Sequence, residues 1–192
     1  MKVIFLDVDG VLNSDEYFDR IQNLDIEGIE SEIDINKVKL LKKAVDTTGA
    51  KIVLSSSWRY TKNALALKKL LADYGIHITD STPVVEHKRG LEIRKWLENN
   101  NNVENFVILD DEVFDSYDSA LTEKLVKMSK EKETDISSCG FLPTDLLVIG
   151  LVLGNLLIEI GLGTVLSMLG VGRVIYFFNN LAKFRLQEMA GL

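Results

Sequence analysis

Residues 2–10, Lys-Val-Ile-Phe-Leu-Asp-Val-Asp-Gly, decide the fold of this chain. The run Lys2–Leu6 is short, apolar and rich in residues that favour β-structure, so it predicts a buried strand. Similar runs recur along the chain, at Lys51–Leu54, Ile76–Ile78, Phe106–Leu109 and Leu125–Met128. Segments with helical periodicity separate them, at Ile35–Thr48, Asn63–Tyr74 and Leu91–Glu98. This alternation predicts an α/β fold in which helices cover both faces of a parallel sheet.

The composition divides the chain near Cys139. The net charge is −7, and all of it lies in residues 1–138, because residues 139–192 hold three acidic and three basic side chains. We therefore predict a catalytic domain at residues 1–138 and an apolar, helical extension of unknown role at residues 139–192.

An acidic domain is not a general nucleic-acid binder, because phosphate backbones require clustered Lys and Arg. The lone Cys139 fits a reducing compartment, and we expect a cytoplasmic protein.

Polar side chains follow three of the predicted strands, where ligands of parallel sheets bind. They are Asp7 and Asp9 after the first strand, Ser55, Ser56, Trp58 and Arg59 after the second, and Asp110 and Asp111 after Phe106–Leu109. Carboxylates that converge at one edge repel one another unless a cation is present, and their hard oxygens suit Mg²⁺. Mg²⁺ in turn suits a phosphate substrate. A metal-neutralised aspartate can attack phosphorus while a carboxylate two residues away moves the proton. Gly10 allows a sharp turn just beyond the first pair.

These motifs, in this order, resemble those of the haloacid dehalogenase (HAD) superfamily. Asp7-Val-Asp9-Gly10-Val11 is similar to its first motif, Ser55 to its second, and Asp110-Asp111 to its fourth. The basic pair Lys88-Arg89 stands where the cation of the third motif is expected. The phrase Ile-Val-Leu-Ser-Ser-Ser-Trp-Arg at residues 52–59 resembles more narrowly the HAD domains associated with Swiss Army Knife RNA repair proteins. The resemblance covers residues 1–138 and implies a three-layer, Rossmann-like fold.

The resemblance also implies a role for each motif residue. Asp7 would attack phosphorus and form an aspartyl-phosphate, and Asp9 would protonate the leaving oxygen and later activate water. The implied Mg²⁺ ligands are the Asp7 carboxylate, the Asp9 backbone carbonyl and Asp111, with Asp110 at or beside the ion. Ser55 would hydrogen-bond a phosphoryl oxygen. Either Lys88 or Arg89 would neutralise the transferring group, and the sequence leaves this choice open.

The substrate is expected to be large, because the site has little to cover it. The gaps at residues 14–33 and 79–87 are too short for a cap domain, so we expect an open site with at most a small flap around residues 13–20. By resemblance, the expected substrate is a nucleic-acid end with a 3′-phosphate. Gly10, Ser56, Trp58 and Arg59 are candidate substrate contacts. Core packing is the alternative for Trp58, and an ion pair is the alternative for Arg59.

Two other functions compete with this one. A phosphatase for small molecules or nucleotides would use the same residues. A non-catalytic, metal-binding interaction module tethered by its C-terminal segment is the rival from another class, although the paired Asp7 and Asp9 speak against it.

The segment at residues 146–172 holds a single charge, Glu159. A helix of this length could cross a membrane, and membrane association through residues 146–172 is one hypothesis. Against it, Glu159 would lie in the middle of the bilayer, and six glycines lower the helix propensity of the segment. A buried helical hairpin, an oligomer contact and an added layer on the sheet are the alternatives.

Overall fold

The structure, a computed structural model, describes residues 1–128 and 140–154. Within these residues the strands are β1 (Lys2–Leu6), β2 (Lys51–Leu54), β3 (Ile78–Ser81), β4 (Asn105–Asp110) and β5 (Leu125–Lys127). They form one parallel sheet in the order β3-β2-β1-β4-β5. The predicted α/β fold with a parallel sheet is therefore confirmed. Since β1 lies between β2 and β4, the carboxyl ends of these three strands are neighbours.

The helices of the described residues connect the strands. They are α1 (Asp15–Ile21), α2 (Ile35–Thr48), α3 (Asn63–Asp73), α4 (Arg89–Glu98), α5 (Ser119–Thr122) and α6 (Pro143–Val152), with 3₁₀ turns at Gly28–Ser31 and Ser57–Tyr60. Helix α2 has the predicted bounds because its end signals are local. The Asp34 side chain accepts a hydrogen bond from the Asn36 backbone N–H, and Gly49 ends the helix at a φ of 66°.

Two predicted elements differ from the structure. The strand expected at Ile76–Ile78 lies at Ile78–Ser81 instead, because the Ile76 N–H still bonds to the carbonyl of Leu71, 2.8 Å away at the end of α3. Ile76 is apolar because it is buried in the core, not because it belongs to a strand. Helix α1 lies in a segment without clear periodicity. Helix α1 has seven residues and buries only Tyr17, so its sequence shows no apolar stripe from which a helix could be predicted.

Helices pack on both faces of the sheet and form two cores. The first core joins alternate residues of the strands, such as Ile4 and Leu6, to α2, α3 and α6. The second core joins the opposite face, including Val3 and Phe5, to α4 and α5. Because side chains alternate along each strand, β1 contributes Ile4 and Leu6 to the first core and Val3 and Phe5 to the second.

Residues 140–154 complete the first core. Helix α6 packs against α2, β4 and β5. Its segment contributes five buried apolar side chains, those of Phe141, Leu146, Val148, Ile149 and Leu153. The change in composition at residue 139 is therefore not a break in packing, and α6 packs beside α2 on the same face of the sheet. The division of the chain into domains at residue 139 stays a prediction.

Residues 155–192, which include most of the hypothetical membrane segment, lie outside the described residues. Among residues 1–128 and 140–154, no helix combines the length and the apolar character needed to cross a membrane.

We expect Phe141→Ala to lower the free energy of unfolding by about 3–5 kcal/mol, because it removes a large side chain from a closely packed core. Phe141 has no exposed surface. The matched control is Phe18→Ala, whose side chain is 38% exposed; it should cost about 0.5 kcal/mol. Urea unfolding of the two variants measures the difference. Equal, small losses would show that residues 140–154 do not belong to the domain core.

Candidate active site

Three loops begin side by side at the carboxyl edge of the sheet. Backbone hydrogen bonds continue one residue beyond the strands: the Asp7 N–H bonds to the Leu109 carbonyl at 3.0 Å, and the Ser55 N–H bonds to the Leu6 carbonyl at 2.8 Å. The first residues of these loops are thus fixed by the sheet itself. This places Asp7, Ser55 and the Asp110–Asp111 pair around one volume.

Asp7, Asp110 and Asp111 form a buried carboxylate cluster. Each offers a carboxylate oxygen, and these oxygens all lie within 4.8 Å of one another. Each of the three residues exposes less than a tenth of its surface. The structure therefore brings together the acidic residues at the carboxyl ends of β1 and β4.

Burial and mutual repulsion oppose the ionisation of this cluster. The pKa of Asp110 is raised to about 8, mainly by burial and secondly by the negative charge of Asp7. Burial also raises the pKa of Asp7, against the opposing effects of the Arg89 guanidinium and the Ser56 hydroxyl, which hydrogen-bonds to it. A bound cation would relieve both costs.

Arg89, the first residue of α4, is the basic side chain that faces the cluster. Its Nη1 lies 3.4 Å from Ser55 Oγ and 3.5 Å from Asp7 Oδ1, and its Nε lies 3.9 Å from Asp110 Oδ2. Lys88 is exposed and pairs with Glu86 at 2.7 Å. Arg89 therefore lies in the site and Lys88 outside it, and which of the two neutralises the transferring group stays a prediction.

Asp9 lies apart from the carboxylate cluster. Its Oδ2 accepts a hydrogen bond from Trp58 Nε1 at 3.0 Å, and its Oδ1 accepts one from Asn13 Nδ2 at 3.0 Å. The Asp9 side chain is therefore not part of the group that could share a metal ion; coordination by its backbone carbonyl stays a prediction. Gly10 has a φ of 71°, and its N–H bonds to Asn13 Oδ1 at 2.8 Å, which closes the turn after β1.

The structure does not support two of the expected substrate contacts. The Trp58 ring is buried in the first core, so it offers no free face for stacking on a base. The Arg59 guanidinium is also buried and pairs with Glu92 at 2.6 Å. It donates to the Ser56 carbonyl at 2.7 Å as well. The packing alternatives for Trp58 and Arg59 account for their positions. Arg59 ties the turn after β2 to α4, the helix that carries Arg89.

The loop after β4 adds residues that the sequence did not single out. The Tyr117 hydroxyl donates to Asp110 Oδ2 at 3.3 Å. The Gly90 N–H bonds to Ser116 Oγ at 2.9 Å, and a Cβ at Gly90 would lie 2.0 Å from the Ser116 carbonyl oxygen. Only glycine allows this approach. In the sequence, the glycine directly after Arg89 was the one available sign of this close approach. Nothing in the sequence indicated that Tyr117 would contact Asp110.

The donor set of the cluster fits Mg²⁺. Carboxylate oxygens are hard ligands, and Mg²⁺ is commonly held by one or two carboxylates while it keeps water and phosphate in its other positions. The raised pKa of Asp110 agrees with a site whose charge is balanced only when a cation binds. Asp7, Asp110 and Asp111 are the residues that would hold the ion.

In the presence of a chelator, stability should fall as the pH rises from about 4 to about 8. In this window the unfolded chain releases the Asp110 proton while the folded protein keeps it, because the folded-state pKa is about 8. Each proton that the folded protein keeps gives a slope of at most about 1.4 kcal/mol per pH unit, and Asp7, whose pKa is also raised, contributes in the same direction. Denaturant unfolding at several pH values measures it. Asp110→Asn should flatten the slope and saturating Mg²⁺ should restore stability; parallel curves for wild type and Asp110→Asn would contradict the assignment.

Comparison with known proteins gave one family. A family model described as the HAD domain in Swiss Army Knife RNA repair proteins matches residues 3–133. The search of curated proteins and the search of solved structures gave no match. The matched residues include the three loops of the site and Arg89.

Proposed function

The chain belongs to the family of HAD domains found in Swiss Army Knife RNA repair proteins, and from this premise we propose that it is a Mg²⁺-dependent phosphomonoesterase. Membership supports a phosphatase-type hydrolase and a role in RNA repair. The observation that carries the proposal is the buried cluster of Asp7, Asp110 and Asp111 with Arg89 beside it. The carboxylates alone would also suit a non-catalytic, metal-binding module, and it is Arg89, within 3.5 Å of Asp7 and of Ser55, that favours a phosphoryl group at this site.

In the proposed reaction, an Asp7 carboxylate oxygen attacks phosphorus while the bond from phosphorus to the leaving oxygen breaks. Asp9 gives that oxygen a proton, and the product is an alcohol and an aspartyl-phosphate. Asp9 then takes a proton from water, whose oxygen attacks phosphorus and releases inorganic phosphate and free Asp7. Bound Mg²⁺ would offset the negative charge of the carboxylates and of the phosphoryl oxygens.

Arg89 and Ser55 would bind the phosphoryl group. The Arg89 guanidinium already lies within 3.5 Å of Asp7 and of Ser55, so it needs no long movement to reach a phosphoryl oxygen held there. Fixed donors of this kind stabilise charge that develops in the transition state without reorganising first. Ser55 Oγ is buried at the start of its loop and can donate to the same group.

We further propose that the substrate is a nucleic-acid end with a 3′-phosphate. The RNA-repair description of the family supports this class of substrate. The lack of a cap domain supports it too, because residues 14–33 hold only α1 and a 3₁₀ turn, and only a short loop joins β3 to α4. A cap domain in either gap would restrict the size of the substrate, and neither gap contains one.

A substrate panel tests the proposal. Phosphate release is measured with a 3′-phosphorylated oligonucleotide, its 5′-phosphorylated counterpart, nucleotides and sugar phosphates, each with Mg²⁺ and with a chelator. We expect Mg²⁺-dependent release that is fastest from the 3′-phosphorylated oligonucleotide. A preference for nucleotides or sugar phosphates would replace the nucleic-acid substrate by a small molecule. Release from none of them would favour the interaction module.

A further inference from the structure

We infer that Trp58 and Asn13 are positioning residues that hold the Asp9 carboxylate in the orientation needed for proton transfer. This inference rests on the proposed function. Trp58 Nε1 donates to Asp9 Oδ2, and Asn13 Nδ2 donates to Asp9 Oδ1, each at 3.0 Å. Each carboxylate oxygen therefore has a fixed donor, and the two contacts together define the plane of the carboxylate.

Both donors are themselves held in place. The Trp58 ring is 6% exposed and packs in the first core, so the indole cannot rotate freely. Asn13 is 3% exposed, its Oδ1 accepts the Gly10 N–H at 2.8 Å, and its Nδ2 also donates to the Glu32 carbonyl at 3.1 Å. The Gly10 contact also fixes which end of the amide faces Asp9, because a backbone N–H can only donate.

The two donors can orient the Asp9 carboxylate without exchanging a proton with it. An indole N–H and an amide NH₂ donate and do not accept, so neither takes a proton from Asp9. Each carboxylate oxygen has two lone pairs, and one donor occupies only one of them. The other lone pair remains for the proton that passes to the leaving oxygen. A displacement of about 1 Å at such a group can cost about 100-fold in rate.

Loss of positioning has a signature that a general loss of structure does not share. A p-nitrophenolate group leaves as a stable anion and needs little help from an acid, whereas an alkoxide must receive a proton. The value of kcat/KM reports the steps through transfer to Asp7. Misplacement of Asp9 should therefore lower kcat/KM for an alkyl phosphate much more than for p-nitrophenyl phosphate.

The test compares Trp58→Phe and Asn13→Ala with the matched control Trp96→Phe. Trp96 is equally buried, and its Nε1 donates to Asp80 Oδ2 at 2.7 Å, but it packs in the second core. The ratio of kcat/KM for p-nitrophenyl phosphate to kcat/KM for the best alkyl phosphate of the wild type is measured on one sample. Any unfolded fraction of a variant lowers both kcat/KM values equally, so it does not change their ratio.

We expect the ratio to rise about 10- to 100-fold in Trp58→Phe and Asn13→Ala and to stay unchanged in Trp96→Phe. Equal losses on the two substrates, or no loss, would overturn the positioning role while leaving the proposed function intact. A wild-type protein that hydrolyses neither substrate would overturn the proposed function and this inference with it.

Discussion

Asp7→Asn is expected to reduce phosphate release to the background rate and, with a chelator present, to make the folded protein more stable. The loss of activity follows because an amide cannot replace the carboxylate that attacks phosphorus. The gain in stability follows because burial raises the pKa of Asp7, so an ionised carboxylate at this position is unfavourable in the folded state. A neutral side chain of the same size removes that cost.

Thermal unfolding at pH 8 and single-turnover phosphate release measure the two effects on the same preparations. Mg²⁺ should reverse the order of stability, since the variant has lost one ligand of the cluster. A variant that is inactive and also less stable in chelator would mean that Asp7 is needed for folding, and its inactivity would then say nothing about nucleophilic attack.

Arg89→Met is expected to lower kcat/KM by about 10³-fold, and Lys88→Met to leave it nearly unchanged. Arg89 lies within 3.5 Å of Asp7 and Ser55, and a fixed cation at a transferring phosphoryl group contributes about this much. Lys88 is its matched control, because it is the neighbouring residue and its Nζ pairs with exposed Glu86. Steady-state kinetics on the preferred substrate distinguish the two.

Arg89→Met also removes a charge that offsets buried Asp7 and Asp110, so part of its effect could come from lost stability. Arg89→Lys keeps a positive charge and should retain more activity than Arg89→Met. If Lys88→Met were the inactive variant and Arg89→Met the active one, the side chain that neutralises the phosphoryl group would have been assigned wrongly.

Local signals in the sequence predicted the features that depend on neighbouring residues. Helix α2 has the expected bounds because Asp34 and Gly49 mark its ends within the segment itself. The meeting of Asp7 with Asp110 and Asp111 was also predictable, since adjacent parallel strands bring their carboxyl ends to one edge. In each case one general rule was sufficient to predict the feature: helix-end residues for α2, and the alignment of parallel strands for the carboxylate cluster.

The features that the sequence missed depend on contacts between distant segments. An ion pair was one of the alternatives for Arg59, but its partner was not predicted: the pair with Glu92 joins the turn after β2 to α4, and no local pattern identifies a partner so far along the chain. Asn13 is a different case, because it lies only four residues from Asp9: the turn after β1 folds back on itself, and the sequence pattern did not show that the Asn13 amide would bond to the Asp9 carboxylate. Ile76 shows a related difficulty, because a short apolar run does not distinguish a strand from a buried helix end.

The contact between the turn after β1 and the segment just before α6 bears on how the protein folds during synthesis. The Phe141 N–H bonds to the Val11 carbonyl at 3.1 Å, so the turn that carries Asp9 is completed by one of the last described segments. During synthesis, the emerging chain must wait for this segment before it can close the first core, and non-local closure of this kind is slow. We therefore expect the nascent chain to acquire protease resistance only after α6 has left the ribosome.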